Sequence, residues 1–148
     1  MLLHTFDVLL QEVPGEVSLT FFIAGCPVRC KGCHSPVLWT DKGIELTAEL
    51  YNSYLTRYQS LATCVLFMGG EWDDQLTGFL AQAKAAGLKT ALYSGYDISQ
   101  LQPSMLEQLD YLKHGPWIAD LGGLSAPGTN QRFIHVPSGR CMNELFQR

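Results

Sequence analysis

Thr63-Cys64-Val65-Leu66-Phe67-Met68-Gly69-Gly70-Glu71 decides the fold. Up to Met68 the run is continuously apolar, with no alternation. Such a run marks a strand buried on both faces, as in parallel sheets covered by helices. Downstream, Asp73 or Asp74 can cap a helix whose apolar stripe is Leu76, Phe79, Leu80 and Ala83, with Gly87 as its stop. Residues 88–93 read as the next strand, Pro103 stands near the start of a helix reaching about residue 108, and residues 109–112 form a short strand. Gly122-Gly123 and Pro127-Gly128 are turn signals before a last strand at 132–136. Upstream, Thr47 can cap a helix with Leu50, Tyr54 and Tyr58 on one face. Residues 5–10 and 17–23 read as strands about a Pro14-Gly15 turn, and the second delivers the chain into a cysteine-bearing loop.

Strands alternating with helices predict a parallel sheet with right-handed crossovers. Gly25, Gly69-Gly70, Gly95 and Gly115 each follow a strand. Ligands of parallel α/β sheets sit at the carboxyl ends of strands, where glycine lets backbone approach them closely. One such glycine is common in any α/β protein; four on one edge, the first beside cysteines, point to a site. With 148 residues the chain is too short for a complete eight-unit barrel of about 250 residues. A partial, open (βα) barrel with a mostly parallel sheet, built as a single domain over residues 1–148, fits the length.

Hydrophobic residues make up 47% and charged residues 16%, the balance of an ordinary soluble globular protein. The formal net charge of −4, without a lysine or arginine run, argues against nucleic acid as a partner. No apolar run approaches the roughly 20 residues a membrane helix needs. Met1-Leu2-Leu3-His4-Thr5-Phe6 lacks the basic start and small-residue cleavage site of a signal peptide. With clustered thiols, that predicts a reducing cytoplasm.

Three of the five cysteines fall in Gly25-Cys26-Pro27-Val28-Arg29-Cys30-Lys31-Gly32-Cys33-His34, spaced C-x3-C-x2-C within a loop at 24–36. Three thiolates suit an iron–sulfur cluster that keeps one iron without a protein ligand, and an open metal position is where a substrate binds. Electron-carrier clusters usually take four cysteines, so the spacing points to chemistry at the cluster. A structural zinc site is the alternative: Cys30 and Cys33 give one close pair, and His34 adds a ligand. Such a site usually wants a second close pair, and Cys64 and Cys141 stand alone. Cys64, mid-strand, reads as a small core residue and Cys141 as a spare thiol near the tail.

With these residues the chain resembles the radical S-adenosylmethionine (SAM) superfamily, and within it the activating proteins of anaerobic (class III) ribonucleotide reductase. The cysteine loop carries the superfamily signature, and Met68-Gly69-Gly70-Glu71 resembles its Gly-Gly-Glu motif. Residues 26–39, 91–95 and 110–117, with Thr129-Asn130-Gln131-Arg132-Phe133, are similar to the activases specifically. Many superfamily members have an aromatic residue before the third cysteine; here it is Gly32, as in activases of this kind.

The resemblance implies a partial barrel of the radical SAM type. It makes Cys26, Cys30 and Cys33 the ligands of a [4Fe-4S] cluster, and sets Gly69, Gly70 and Glu71 against the methionine end of SAM. Ser94 would bond the SAM ribose or carboxylate, a tyrosine of Tyr93-Ser94-Gly95-Tyr96 would pack on the adenine, His34 would touch the adenine or cap the cluster loop, and Lys113 would match a SAM-contacting lysine of some relatives. The implied reaction is reductive cleavage of SAM to a 5′-deoxyadenosyl radical that takes hydrogen from a glycine of the anaerobic ribonucleotide reductase. A flavodoxin- or ferredoxin-like donor would supply the electron, met by Arg29 and Lys31, unless these simply form a solvated loop face. Asn130-Gln131-Arg132 would close the site or read the partner's glycine loop. The rival readings are an activase of another glycyl-radical enzyme, such as a formate lyase, and a non-catalytic iron–sulfur or zinc-binding interaction module.

Overall fold

A computed structural model describes residues 1–27 and 42–147; Arg29, Cys30, Lys31, Cys33 and His34 lie outside them. The chain runs through strands β1 (Leu2–Leu9), β2 (Ser18–Ile23) and β3 (Ile44–Glu45), then helix α1 (Ala48–Arg57) and strand β4 (Cys64–Met68). Helix α2 (Gln75–Ala85), strand β5 (Lys89–Tyr93) and the short helix α3 (Pro103–Leu106) follow, then strands β6 (Tyr111–His114), β7 (Arg132–His135) and β8 (Arg140–Cys141). All eight strands share one open sheet in the order β3-β1-β2-β4-β5-β6-β7-β8. Its centre, β2, β4, β5 and β6, is parallel. Antiparallel pairs extend it on both sides, β1 and β3 at one end and β7 and β8 at the other. The predicted partial, open barrel is therefore a mixed sheet with a parallel core. Among the described residues no helix is long and apolar enough to cross a membrane.

The unbroken apolar run of β4 is explained by cover on both faces. Val65 and Phe67 join the larger core with Leu19, Phe21, Leu92 and Leu112, under α1 and α2. Cys64 and Leu66 point the other way, into a smaller core with Val13, Ala91, Leu124 and Phe133, where loops supply the cover. Aromatic rings knit the helical face: Phe6 stacks on Tyr54 with centroids 4.1 Å apart, and Phe21 on Phe67 at 5.2 Å. The buried Tyr51 hydroxyl donates to the Phe79 carbonyl at 2.7 Å and ties α1 to α2.

Local signals set the helix ends. Thr47 Oγ1 accepts from Leu50 N–H at 3.1 Å, the bond of an N-cap. For α2 the capping bond belongs to Asp73, whose Oδ1 accepts from Gln75 N–H at 2.9 Å; Asp74, at the cap position, makes none. Gly87 ends α2 at φ 83°, and Leu88 N–H closes on Ala83 O at 3.1 Å, a Schellman termination.

Two expectations shift. The strand placed at 109–112 runs instead over Tyr111–His114. Leu109 N–H bonds Leu106 O at 3.1 Å and completes the helical turn, while the Asp110 carboxylate accepts from Thr90 N–H at 2.9 Å and anchors the strand's start. The strand at Arg132–His135 is not the last: a turn with Gly139 at φ 71° returns the chain as β8. Two-residue strands such as β3 and β8 are too short to carry a period.

Candidate metal centre and carboxyl-edge site

The four parallel strands bring four exits to one edge: Ala24-Gly25-Cys26 after β2, Gly69-Gly70-Glu71 after β4, Ser94-Gly95-Tyr96 after β5 and Gly115 after β6. The ladders run slightly past the strands, with Gly69 N–H on Tyr93 O at 3.0 Å and Ser94 N–H on Lys113 O at 2.8 Å. These bonds hold the three later exits in register.

Gly69 and Gly70 have φ of 84° and 105°, where other residues are strained. A Cβ on Gly69 would stand 2.8 Å from Trp72 Cη2, and one on Gly70 would stand 3.3 Å from Ile23 Cγ1 and 3.4 Å from Met1 Cε. The close approach these glycines permit is thus to the protein itself, where the sequence pattern had suggested access for a ligand. Their turn sends Glu71 back into the edge.

There the Glu71 carboxyl is buried. Ser94 Oγ donates to its Oε1 at 2.6 Å, and Tyr96 N–H donates to Ser94 Oγ at 3.0 Å. Burial lifts the carboxyl above the ordinary carboxylate range, while the Ser94 bond and the nearby N–H groups of Glu71 and Gly95 draw it back. Neither N–H reaches Oε2 with hydrogen-bond geometry, and that buried oxygen has no partner among the described residues. A desolvated carboxyl oxygen without a donor is costly, and a cation brought to it relieves the cost.

Cys26, half-buried, lies at the same edge. The Tyr96 phenol is held above its ordinary value by burial first, then by the charges of Glu71 and Cys26. Of the predicted site residues, Glu71 and Ser94 are in direct contact, and Cys26 follows β2, the strand beside β4, at the same edge. Lys113 lies in register with Tyr93, and its ammonium sits over that ring, 5.2 Å from the centroid. Tyr93 itself is a core residue: its hydroxyl donates to Glu12 O, and burial raises its pKa. Cys64 is fully buried, its thiol pushed up to about 12 chiefly by burial, and Cys141 is exposed. A thiol so hard to ionise is a poor nucleophile and ligand.

Sequence reasoning missed Trp72, Asn143 and the pairing of His114 with Asp97. His114 Nδ1 lies 3.3 Å from the Asp97 carboxylate, with burial as the main influence lowering its pKa. Asn143 bonds Phe133 N–H through Oδ1 at 2.8 Å and Gln131 O through Nδ2 at 2.8 Å. A lone asparagine ten positions beyond its partner carries no pattern. Trp72, directly after Gly-Gly-Glu, was the one with a readable signal: a large ring beside two glycines.

Fold and edge define an open α/β protein with a strand-end site that includes a thiol. The chain matches the family described as "4Fe-4S single cluster domain" over residues 13–133, and it belongs to that family. It is also similar to the pyruvate formate-lyase-activating enzyme of Clostridium pasteurianum, 33% identical over 99 residues, which cover 61% of this chain and 41% of that one. The enzyme of the same name from Listeria monocytogenes serovar 1/2a is 31% identical over 107 residues, 67% of this chain and 43% of the other. The chain thus spans about two fifths of the length of these curated relatives.

Family membership brings a [4Fe-4S] cluster, and the residues fit it. Among the described residues no group of three or more His, Cys, Asp or Glu could hold a metal ion. Of the three cysteines of the C-x3-C-x2-C spacing, Cys26 lies within the described residues and Cys30 and Cys33 lie outside them. Soft thiolates are the ligands such clusters take.

Proposed function

We propose that this chain is a glycyl-radical activase that binds a [4Fe-4S] cluster through Cys26, Cys30 and Cys33 and SAM at the carboxyl edge of its sheet. The observation that carries the reading is the buried Glu71 carboxyl, held by Ser94 with Oε2 unpartnered, at the edge that also bears Cys26. SAM is a cation with an ammonium at its methionine end, the kind of group that Oε2 lacks. When bound, cluster and SAM together supply one-electron cleavage of the C5′–S bond and a radical that takes hydrogen from a protein glycine.

The chain's own residues do the positioning. Glu71 receives the ammonium, and Ser94 keeps its carboxylate turned to the site. Tyr96 N–H holds the Ser94 hydroxyl in place. His34 and Lys113 are the remaining candidates for SAM contact, His34 directly after Cys33 and Lys113 one strand beyond Tyr93. The electron would come from a flavodoxin- or ferredoxin-like protein in a reducing cytoplasm, where exposed thiols persist.

The acceptor we propose is anaerobic ribonucleotide reductase, supported by the resemblance of residues 91–95, 110–117 and 129–133 to its activases. The names of the two relatives favour a second reading, in which the acceptor is a formate lyase. Electron paramagnetic resonance decides between them. Cluster-loaded protein, SAM and a strong reductant should give a glycyl-radical signal with the reductase, and the signal should vanish when any one is left out. A signal with formate lyase and none with the reductase would reverse the choice. SAM cleavage without a radical on any such partner would sink both.

A further inference from the structure

Gln131 and Thr129 are each only 3% exposed, and Ser94 2%. Buried polar side chains are satisfied by specific partners, and here the partners form a line. Gln131 Nε2 donates to Gly115 O at 3.4 Å, Gly115 N–H to Tyr96 O at 2.8 Å, Tyr96 N–H to Ser94 Oγ at 3.0 Å and Ser94 Oγ to Glu71 Oε1 at 2.6 Å. The line crosses the exits of β6, β5 and β4 in turn and ends on the carboxyl of the proposed SAM site.

Its far end is firmly anchored. Thr129 Oγ1 donates to Gly122 O at 2.8 Å and accepts from Gln131 N–H at 3.1 Å, and Asn143 Nδ2 donates to Gln131 O at 2.8 Å. Arg132 turns its guanidinium onto the Gln131 carbonyl at 2.9 Å. The junction has no slack, since a Cβ on Gly115 would stand 3.3 Å from Asn130 O and 3.4 Å from Gln131 Cα. A shift at Gln131 therefore moves Gly115, and with it the Tyr96 backbone that fixes the Ser94 hydroxyl.

We propose that Gln131 is a positioning residue for Glu71, acting through the Gly115–Tyr96–Ser94 line to set where the carboxylate meets the ammonium of SAM. This rests on the reading that SAM binds at Glu71. It gives part of the Asn130-Gln131-Arg132 segment a task inside the protein, different from reading a partner's glycine loop.

A double-mutant cycle on cluster-loaded protein tests it, with SAM affinity measured by anaerobic calorimetry and Tm recorded for each variant. Ser94→Ala is expected to weaken SAM binding about tenfold and Gln131→Leu about fivefold, the scale of losing bonds that support a charged group. In the Ser94→Ala background, Gln131→Leu should change affinity by less than about twofold, because coupled residues are non-additive. A purely structural Gln131 would lower Tm and leave the affinities multiplying to about fiftyfold or leave them untouched; either overturns the proposal. Should Gln131→Leu not fold, Gln131→Met, which keeps the length and loses the donor to Gly115 O, replaces it. Glu71→Gln separates the two levels. Wild-type affinity in that variant overturns the SAM reading and the proposal with it, whereas weakened affinity with an additive cycle overturns the Gln131 role alone.

Discussion

Glu71 meets two opposed demands. Burial favours its protonated form, whereas a carboxylate is what a cationic ligand needs. Its pKa is raised in the folded chain, so the native state keeps the proton to higher pH than the unfolded one. Stability is then lost as pH rises from the ordinary carboxylate range through the raised value, and above it the buried charge is a standing cost. Glu71→Gln removes that cost, so without SAM the variant should melt higher than the parent at neutral pH and show a flatter pH dependence. With SAM it should bind about tenfold more weakly, as expected on removing a charged hydrogen-bond partner. Calorimetry and melting curves across pH check both. Among the thiols, Cys26→Ala, Cys30→Ala and Cys33→Ala should each abolish SAM cleavage and lower iron and sulfide content. Cys64→Ala should leave both intact, because its buried thiol is pushed up to about 12.

Among the elements, the β4–α2 connection joins fold to site. Its glycines fold back onto Trp72, Ile23 and Met1, so their substitution acts through the turn. Gly69→Ala places a Cβ 2.8 Å from the Trp72 ring at a positive φ and should cost about 1–3 kcal/mol of stability, read by denaturant unfolding. SAM affinity should fall with it, because Glu71 follows two residues later. Thr47→Ala removes the capping bond of α1, a bond to Leu50 N–H that involves neither Glu71 nor Ser94, and should cost about 1 kcal/mol with SAM affinity unchanged. The contrast separates elements that carry the site from those that carry only the core.

Across the whole molecule, stability concentrates in the parallel centre. Leu19, Phe21, Val65, Phe67 and Leu92 are fully buried, and β8 is an exposed edge of two residues. Native-state hydrogen exchange should find the slowest amides in β2, β4 and β5 and fast exchange in β8. The sequence by itself determined the class of the protein: an apolar run at β4, helix stripes bounded by Thr47 and Gly87, glycines after the strands, and a cysteine spacing that the family match supports. These are local signals, since periodicity, caps and short spacings are set by residues a few positions apart. Only the tertiary structure decided that the outer strands are antiparallel, that Asp73 rather than Asp74 caps α2, and that Asp110 starts β6 later than the apolar pattern suggests. It also decided that Ser94 bonds Glu71 across 23 positions and that Gln131 reaches Gly115 across 16. Such contacts join residues far apart in the chain, and a serine or glutamine carries no mark of its partner until the sheet sets the strand ends side by side.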